Sequence, residues 1–356
     1  MNVLDLRTEF PVLERVAYMN SGTQGPVPAR AAEAARAEVE RECAAGRGDM
    51  PHYERILDLG ERLRTAVAAL FACSPDELAL TRSTTDGMNA ALTALELGPG
   101  DEVLTSDEEH PGLLAPLAAH RARRGFEVRM APFAELAGTI GPRTKLVACS
   151  HVSWVNGRVV DTDALAASDA LVLLDGAQGL GAVDVRGLGC DFYGAAGQKW
   201  LCGPDGSGYL YVRGDLCRDL PVPWPSYMTL ADPSRPLDSE PQTGARRFDI
   251  GFSAPLWAWS LAALETLAAP GWDAVYGRAT ELAERLAAGL AESGTEVAPR
   301  GRSTLVSWRS PDPAAETERL GAAGVLVREI PGQGLLRASV GAWSIEEDLE
   351  RLLAAR

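Results

Sequence analysis

Residues 193–203 read YGAAGQKWLCG and place a lysine among glycine, alanine and aromatic residues. Of the 34 lysines and arginines in the chain, only Lys145 and Lys199 are lysines. Because arginine supplies nearly all of the cationic side chains, the lysine at position 199 calls for a chemical explanation. An amine can lose its proton and form a Schiff base, and a guanidinium cannot. The alternative interpretation is a lysine with a buried stem and an ammonium that reaches water.

The composition of the chain argues against several classes of protein. With 356 residues, the chain is long enough for a large domain and a smaller one. A net charge of −15 argues against a nucleic-acid binder and against attachment to an anionic membrane. No apolar stretch has transmembrane length, and the N-terminus MNVLDLRTEFPVLERV carries charges where a signal peptide is apolar. We therefore expect a cytoplasmic protein.

The cysteines and histidines show neither a disulfide framework nor a metal site. The six cysteines are scattered without a CxxC pair, which indicates free thiols in a reducing compartment. The four histidines lack the spacing of zinc ligands, so we expect no metal.

Short apolar stretches alternate with helical stretches over residues 77–212. The predicted strands are ELALT (77–81), EVLTS (102–106), FEVRM (126–130), KLVACS (145–150), ALVLLD (170–175) and GYLYV (208–212). Several are uniformly apolar, which predicts a mostly parallel sheet covered by helices on both faces. From about residue 255 the pattern changes to long helices (255–269, 273–292), short strands and a last helix from Ser344. This pattern predicts a second, smaller α+β domain.

Polar residues follow several of these strands, where ligands of open α/β sheets bind. Thr84 and Thr85 begin a helix after the first strand, and there they can bind phosphate or simply belong to a helix cap. His110 follows the second strand, where it can stack on a planar cofactor, act as an acid or base, or be an ordinary loop histidine. Asp175 ends an apolar strand as a cap or as the partner of a cationic ligand group, and Gln178 can bond the same ligand.

Together and in this order, these motifs resemble the class V aminotransferase family of fold-type I pyridoxal-phosphate (PLP) enzymes. The resemblance is strongest to group II cysteine desulfurases and isopenicillin-N-epimerase-like proteins, and it runs from YMNSGTQGPVP (18–28) to LRASVGAWSIEEDLERL (336–352). It implies a homodimer and an α/β fold with a mostly parallel, seven-stranded sheet. The implied units are an N-terminal segment (1–20) that packs with the small domain, a large PLP-binding domain (21–254) and a small α+β domain (255–356).

The resemblance also implies a role for each motif. Lys199 would form the Schiff base with PLP, His110 would stack on its pyridine ring, and Asp175 would keep the ring nitrogen protonated, so that the cofactor can withdraw electrons. These three are the expected catalytic residues. Further cofactor contacts are expected from Thr84, Thr85, Gln178 and Gln198. Substrate contacts are expected from Arg337, which matches the carboxylate-binding arginine, and from Arg328 and Trp154.

The chain departs from the family pattern at three places. Ala196 and Gln198 stand where many relatives have serine and histidine, so part of the phosphate grip is lost or replaced. Phe252, in RFDIGFS (247–253), stands where a family threonine reaches the phosphate of the neighbouring subunit, and whether Ser253 substitutes for it stays open. Trp154 replaces an asparagine of the desulfurases and would place an indole near cofactor or substrate.

The expected reaction converts a small amino acid through an external aldimine, with β-elimination of the C–S lyase kind favoured. Transamination and epimerisation are alternatives within the family. A non-catalytic PLP-fold binding protein is a further alternative, against which the intact Lys199, Asp175 and Arg337 argue. A cysteine desulfurase is disfavoured because its mobile loop carries a nucleophilic cysteine, whereas IPGQGL (330–335) is short and has none. Cys202 is the remaining candidate for that nucleophile, and a structural role is favoured for it.

Overall fold

The computed structural model describes all 356 residues, and a seven-stranded sheet forms its central layer. The twelve strands of the chain are β1 (Ala17–Tyr18), β2 (Leu78–Thr81), β3 (Glu102–Ser106), β4 (Glu127–Ala131), β5 (Thr144–Ser150), β6 (Leu171–Asp175), β7 (Phe192–Ala196), β8 (Gly208–Val212), β9 (Leu305–Arg309), β10 (Val325–Leu326), β11 (Arg328–Ile330) and β12 (Leu335–Ser339). The central sheet has the order β2-β8-β7-β6-β5-β3-β4. Only β8 runs antiparallel to its neighbours, so the predicted mostly parallel sheet is confirmed.

Ten helices surround the sheets. They are α1 (Ala29–Ala45), α2 (Met50–Phe71), α3 (Thr84–Ala94), α4 (Pro111–Arg124), α5 (Leu136–Thr139), α6 (Thr162–Ala166), α7 (Ala254–Ala268), α8 (Trp272–Glu292), α9 (Pro313–Ala322) and α10 (Glu346–Ala354). Side chains cap several of them at the N-terminus: Asp49 accepts from the His52 amide at 3.1 Å before α2, and Ser83 accepts from Asp86 at 3.0 Å before α3. None of the helices is both long enough and apolar enough to cross a bilayer.

The strands alternate their side chains between two apolar cores. On β5, Val147 and Cys149 point to the core that α2 completes, whereas Leu146 and Ala148 point to the core completed by α3 and α4. All four are fully buried, which explains why a strand covered on both faces reads as a continuous apolar run. The two cores therefore pack on opposite faces of the sheet that carries the motifs at the carboxyl ends of its strands.

Strand β7 is the one strand of the sheet that the sequence pattern does not predict. Its sequence FYGAA contains glycine and alanine, which have low strand propensity. The glycine has a packing reason: a Cβ on Gly194 would lie 2.3 Å from Cε of Met88 in α3. The close approach of α3 to the sheet therefore excludes a larger residue at position 194. The glycine in turn weakens the strand propensity of this segment, so the sequence pattern does not predict the strand.

The C-terminal elements form a separate small sheet of order β11-β12-β9, with all neighbours antiparallel. The N-terminal segment joins them, because β1 pairs in parallel with β10 and Arg7 forms an ion pair with the buried Asp348 at 2.7 Å. The predicted boundary near residue 254 coincides with the start of α7, a helix that packs mainly on α1 and α2. The division into domains stays a prediction.

Candidate active site

A cavity of about 220 Å³ opens at the carboxyl ends of β2, β6 and β7. Its lining combines hydroxyl, amide, imidazole, carboxylate and cationic groups from six parts of the chain. The lining residues are Gly22, Thr23, Ser83, Thr84, Thr85, His110, Gly112, Asp175, Ala177, Ala196, Gln198, Lys199 and Arg328. The structure thus brings together seven of the ten residues named from the sequence, while Gln178, Arg337 and Trp154 lie behind this lining.

Lys199 lies in the turn that follows β7, with its side chain in the cavity. The N-terminal loop holds this turn: the Gly25 amide donates to the carbonyl of Gln198 at 2.8 Å, and a Cβ on Gly25 would lie 2.1 Å from the Lys199 carbonyl oxygen. Burial lowers the pKa of the Lys199 amine to about 8, with smaller contributions in the same direction from Arg337 and Arg328. Asp175 opposes this shift. An amine with this pKa can lose its proton near neutral pH.

Asp175 ends β6 and is buried beside this lysine. Its carboxylate accepts a hydrogen bond from the Ala177 amide at 2.9 Å. Burial raises the pKa of the carboxyl group, and the Lys199 ammonium opposes that rise. The following Gly176 lets the chain pass over Tyr193, because a Cβ there would lie only 1.8 Å from Cε1 of that ring. The glycine of the DGAQG motif therefore serves to place Asp175 at the cavity.

Gln178 lies just behind the cavity with its amide already bonded. Its Nε2 donates to the Gly22 carbonyl at 2.7 Å, and its Oε1 accepts from the Trp200 indole at 3.1 Å. One N–H of the side chain is left over for a ligand. These bonds fasten the N-terminal loop to the cavity floor, and the expected contact of Gln178 with the cofactor stays a prediction.

His110 caps α4 and faces the cavity at the same time. Its Nδ1 accepts a hydrogen bond from the Gly112 amide at 3.0 Å, so the proton of the neutral ring is on Nε2. Burial lowers the pKa of the imidazole to about 4, aided by the charges of Lys199, Arg328 and Arg337. The ring also lies edge-on to Trp154, with 5.1 Å between centroids. It is therefore a neutral ring with a fixed orientation.

One end of the cavity has the features of a phosphate site. It lies at the N-terminus of α3, where Thr84 lines the wall and its buried Oγ1 has no partner. Gln198 also lines the cavity, and the N–H groups of its side-chain amide can donate to a ligand. Buried polar atoms are rarely left without partners, and a helix N-terminus favours anions, so this end fits a phosphate group. Ala196 lines the same cavity and offers no hydroxyl.

A second group of side chains, in and directly behind the lining, has the features of a carboxylate site. Arg337 is fully buried, donates from Nη1 to the Trp154 carbonyl at 2.6 Å, and leaves Nε and Nη2 without partners. Arg328 is its partner across β11 and β12, donates weakly to Thr23 at 3.3 Å, and lies over the Trp154 ring at 5.7 Å. Neither guanidinium pairs with a carboxylate of the chain, so both can bind an anionic ligand. Burial, helped by Arg328, lowers the pKa of Arg337 to about 9.

These observations make the cavity fit PLP. A phosphate cradle, a lysine amine of lowered pKa, a buried carboxylate and a stacking imidazole are the groups that this cofactor needs, and all line one cavity. The sequence did not single out Gly22, Thr23, Ser83, Gly112 and Ala177 as ligand contacts, and these residues complete the lining. The turn-rich stretch NSGTQGPVP (20–28) was the available signal for Gly22 and Thr23.

Phe252 and Ser253 do not line this cavity. Phe252 is exposed and lies edge-on to Trp257, and the Ser253 hydroxyl caps α7. Whether this segment reaches the cofactor of a neighbouring subunit stays a prediction.

Comparisons with known proteins agree with the site. The model of the class-V aminotransferase family matches residues 17–352. A probable cysteine desulfurase of Pseudomonas aeruginosa is 34% identical over 344 residues, which cover 85% of this chain and 83% of that protein. A solved mutant of C-DES, with glycine covalently linked to its PLP cofactor, superimposes with a TM-score of 0.92 at 29% identity and covers 98% of both chains.

A second solved structure, the cystine C–S lyase C-DES in complex with its reaction product cysteine persulfide, has a TM-score of 0.90 at 29% identity and covers 97% of this chain and 98% of that one. The family match spans nearly the whole chain, so the resemblance seen in the sequence is confirmed. The chain belongs to the class-V aminotransferase family and is a PLP-dependent enzyme of fold-type I.

Proposed function

We propose that this enzyme is a C–S lyase that cleaves the Cβ–S bond of a cysteine-type amino acid by β-elimination. The observation that carries the proposal is that no cysteine lines the cavity around Lys199. The turn between β11 and β12 has only the four residues 331–334, and none of them is cysteine. A reaction that transfers sulfur to a protein thiol therefore has no acceptor cysteine at this site.

Cys202 is near Lys199 in sequence but is a poor nucleophile. It is buried and lies outside the cavity lining. Burial raises the pKa of its thiol well above the ordinary value, so the thiolate that attacks sulfur is scarce. Its Sγ contacts the Trp200 carbonyl at 3.9 Å within a packed cluster beside Phe10 and Ala31. These contacts support a structural role.

Side chains in and directly behind the cavity lining support each step of an elimination. When bound, PLP withdraws electrons from Cα of the amino acid and weakens the Cα–H bond. Arg337 binds the substrate carboxylate and orients the Cα–H bond toward Lys199. Neutral Nζ of Lys199 takes the Cα proton, the Cα–Cβ double bond forms, and sulfur leaves Cβ with the bonding electron pair. The Lys199 ammonium then protonates the leaving sulfur, and water hydrolyses the released enamine to pyruvate and ammonia.

The homodimer implied by the family resemblance is part of this proposal. Trp224, Tyr227 and Phe252 are large side chains that lie exposed within residues 219–253. Exposed aromatic side chains of this kind are enriched at protein interfaces. They support a second copy of the chain as the partner.

A single-turnover experiment tests the reaction. The enzyme, in excess over L-cystine, is stopped by acid, and the products are analysed while the intact protein is weighed by mass spectrometry. We expect pyruvate, ammonia and cysteine persulfide in solution, and a protein of unchanged mass. In a parallel incubation with L-cysteine, a gain of one sulfur atom on the protein, with alanine as the product, would make it a desulfurase. Loss of optical activity, or a keto acid that retains sulfur, would instead indicate epimerisation or transamination.

A further inference from the structure

Glu109 lies directly before His110 and closes a buried hydrogen-bond network that the cofactor contacts do not explain. Its Oε1 accepts from the Ser106 hydroxyl and, at 3.0 Å, from the Ser150 amide. Its Oε2 lies 2.6 Å from the Ser150 hydroxyl. Ser106 ends β3 and Ser150 ends β5, so this one carboxyl group joins the carboxyl ends of two neighbouring strands.

The same network reaches Asp175. Ser150 is the register partner of Asp175 across β5 and β6, and the amide of His151 donates to the Asp175 carbonyl at 2.9 Å. A shift of the β5 end would therefore move the carboxylate that the cofactor requires. Because Glu109 directly precedes His110 in the chain, holding its carboxyl group also holds the backbone at His110. Glu109 therefore positions two groups of the cavity, His110 and Asp175.

The surroundings of Glu109 disfavour a charge. The side chain is 6% exposed, and no lysine, arginine or histidine forms an ion pair with it. The titratable groups that face it are Cys149 on β5 and Asp175 on β6, which add no positive charge. Asp175, in contrast, has the Lys199 amine beside it. Of two neighbouring buried carboxyl groups, the one without a cation takes the proton.

We propose that Glu109 is a positioning residue whose carboxyl group stays protonated in the holoenzyme up to about neutral pH. It holds the ends of β3 and β5, and so His110 and Asp175, while Asp175 remains the only ionised carboxylate of the cavity lining. The hydrogen bonds agree with this assignment. A neutral acid accepts twice at Oε1 and donates once from Oε2 to the Ser150 hydroxyl. Burial also raises the pKa of Glu109 to about 7, with Asp175 adding to the rise and the two serines opposing it.

This role does not depend on which amino-acid reaction the enzyme catalyses. It concerns the placement of the groups that hold the cofactor, and these are needed whichever reaction of the family the enzyme catalyses. Its test can therefore use properties of the resting holoenzyme, and a failure of the C–S lyase proposal would leave it intact.

The experiment compares Glu109→Gln with Glu109→Ala. Glutamine keeps one acceptor and one donor in place of the protonated acid and cannot ionise. We expect Glu109→Gln to bind PLP within about threefold of the wild type, since all three hydrogen bonds can form, and Glu109→Ala to lose about tenfold or more, as expected when buried partners lose their bonds. Equilibrium dialysis with fluorescence detection of PLP measures both dissociation constants.

The pH dependence of holoenzyme unfolding separates the charge from the mere presence of the side chain. A carboxyl group with a raised pKa binds more protons folded than unfolded, so the wild type loses stability as the pH rises from about 4.3 toward 7. We expect the unfolding midpoint of the Glu109→Gln holoenzyme, relative to that of the wild type, to rise as the pH increases across this range and to level off above pH 7. A difference that is constant with pH, or a Gln variant that loses PLP as the Ala variant does, would overturn the proposal. Cys149 is the thiol that faces Glu109, so Cys149→Ala serves as the control variant. We expect the pH dependence of unfolding of the Cys149→Ala holoenzyme to equal that of the wild type.

Discussion

Two buried arginines of this chain show how a structural cation differs from a ligand-binding one. Arg64 on α2 is 3% exposed, donates to both oxygens of Asp249 at 3.2 and 2.7 Å, and also bonds the Leu78 carbonyl. Arg337 on β12 is 0% exposed, has one backbone acceptor at 2.6 Å and no carboxylate partner. The first guanidinium is satisfied by the protein, whereas the second leaves two nitrogen atoms for a ligand.

The difference teaches where to look for function in a folded chain. A buried charge is costly unless it is paired, so a protein retains an unpaired one where a ligand completes it. The same contrast separates Lys199, Thr84 and Gln198, which face the cavity, from the capping and ion-paired polar groups elsewhere. Removing a residue of the first kind should impair ligand binding or chemistry, and removing one of the second kind should impair stability.

The largest effect on chemistry is expected for Lys199→Ala. Lysine both carries the cofactor and moves the Cα proton, so kcat should fall by roughly 10⁴-fold or more while the free energy of unfolding changes little. Pyruvate release from L-cystine measures the rate, and borohydride reduction with peptide mapping locates the pyridoxyl group on Lys199. Lys145→Ala is the matched control, because Lys145 is the only other lysine and is exposed on β5. A pyridoxyl group on Lys145 would overturn the assignment.

The sequence predicts some strands of the central sheet better than others. It predicts the mostly parallel sheet, because β2, β3, β5 and β6 are apolar and end in polar motifs. It misses β7, since FYGAA contains glycine and alanine, and the close approach of α3 rather than strand propensity explains Gly194.

Within the site, the order of Thr84, His110, Asp175 and Lys199 along the chain is enough to predict one cavity. The sequence does not predict that Gln178 is taken up by Gly22 and Trp200, nor that the Trp154 carbonyl holds Arg337. These contacts join residues more than 20 positions apart through side-chain directions, which local patterns do not carry.

Arg64→Leu should break the structural side of the comparison. The change leaves the Asp249 carboxylate without its cation, which costs about 3–5 kcal/mol of unfolding free energy for a buried pair. Urea denaturation of the holoenzyme measures this loss, and the dissociation constant of glycine should stay within about threefold of wild type because the cavity is untouched. Arg62→Leu, two residues away and exposed, should cost only about 0.5 kcal/mol or less. Equal losses in the two variants would contradict the structural role of Arg64.

Arg337→Lys gives the smallest expected effect and sharpens the ligand-binding side. Lysine keeps the positive charge but loses the planar fork, so one of the two free donors can no longer meet a carboxylate oxygen. We expect the dissociation constant of glycine, measured from the cofactor absorbance, to rise by about 10- to 100-fold, the range for a lost hydrogen bond to a charged group. Arg309 lies on the adjacent strand β9 and is exposed. Arg309→Lys should therefore leave the dissociation constant of glycine unchanged. If Arg337→Lys instead weakens PLP retention and leaves glycine affinity unaltered, the two unpaired nitrogen atoms serve the cofactor, and the carboxylate must bind at Arg328.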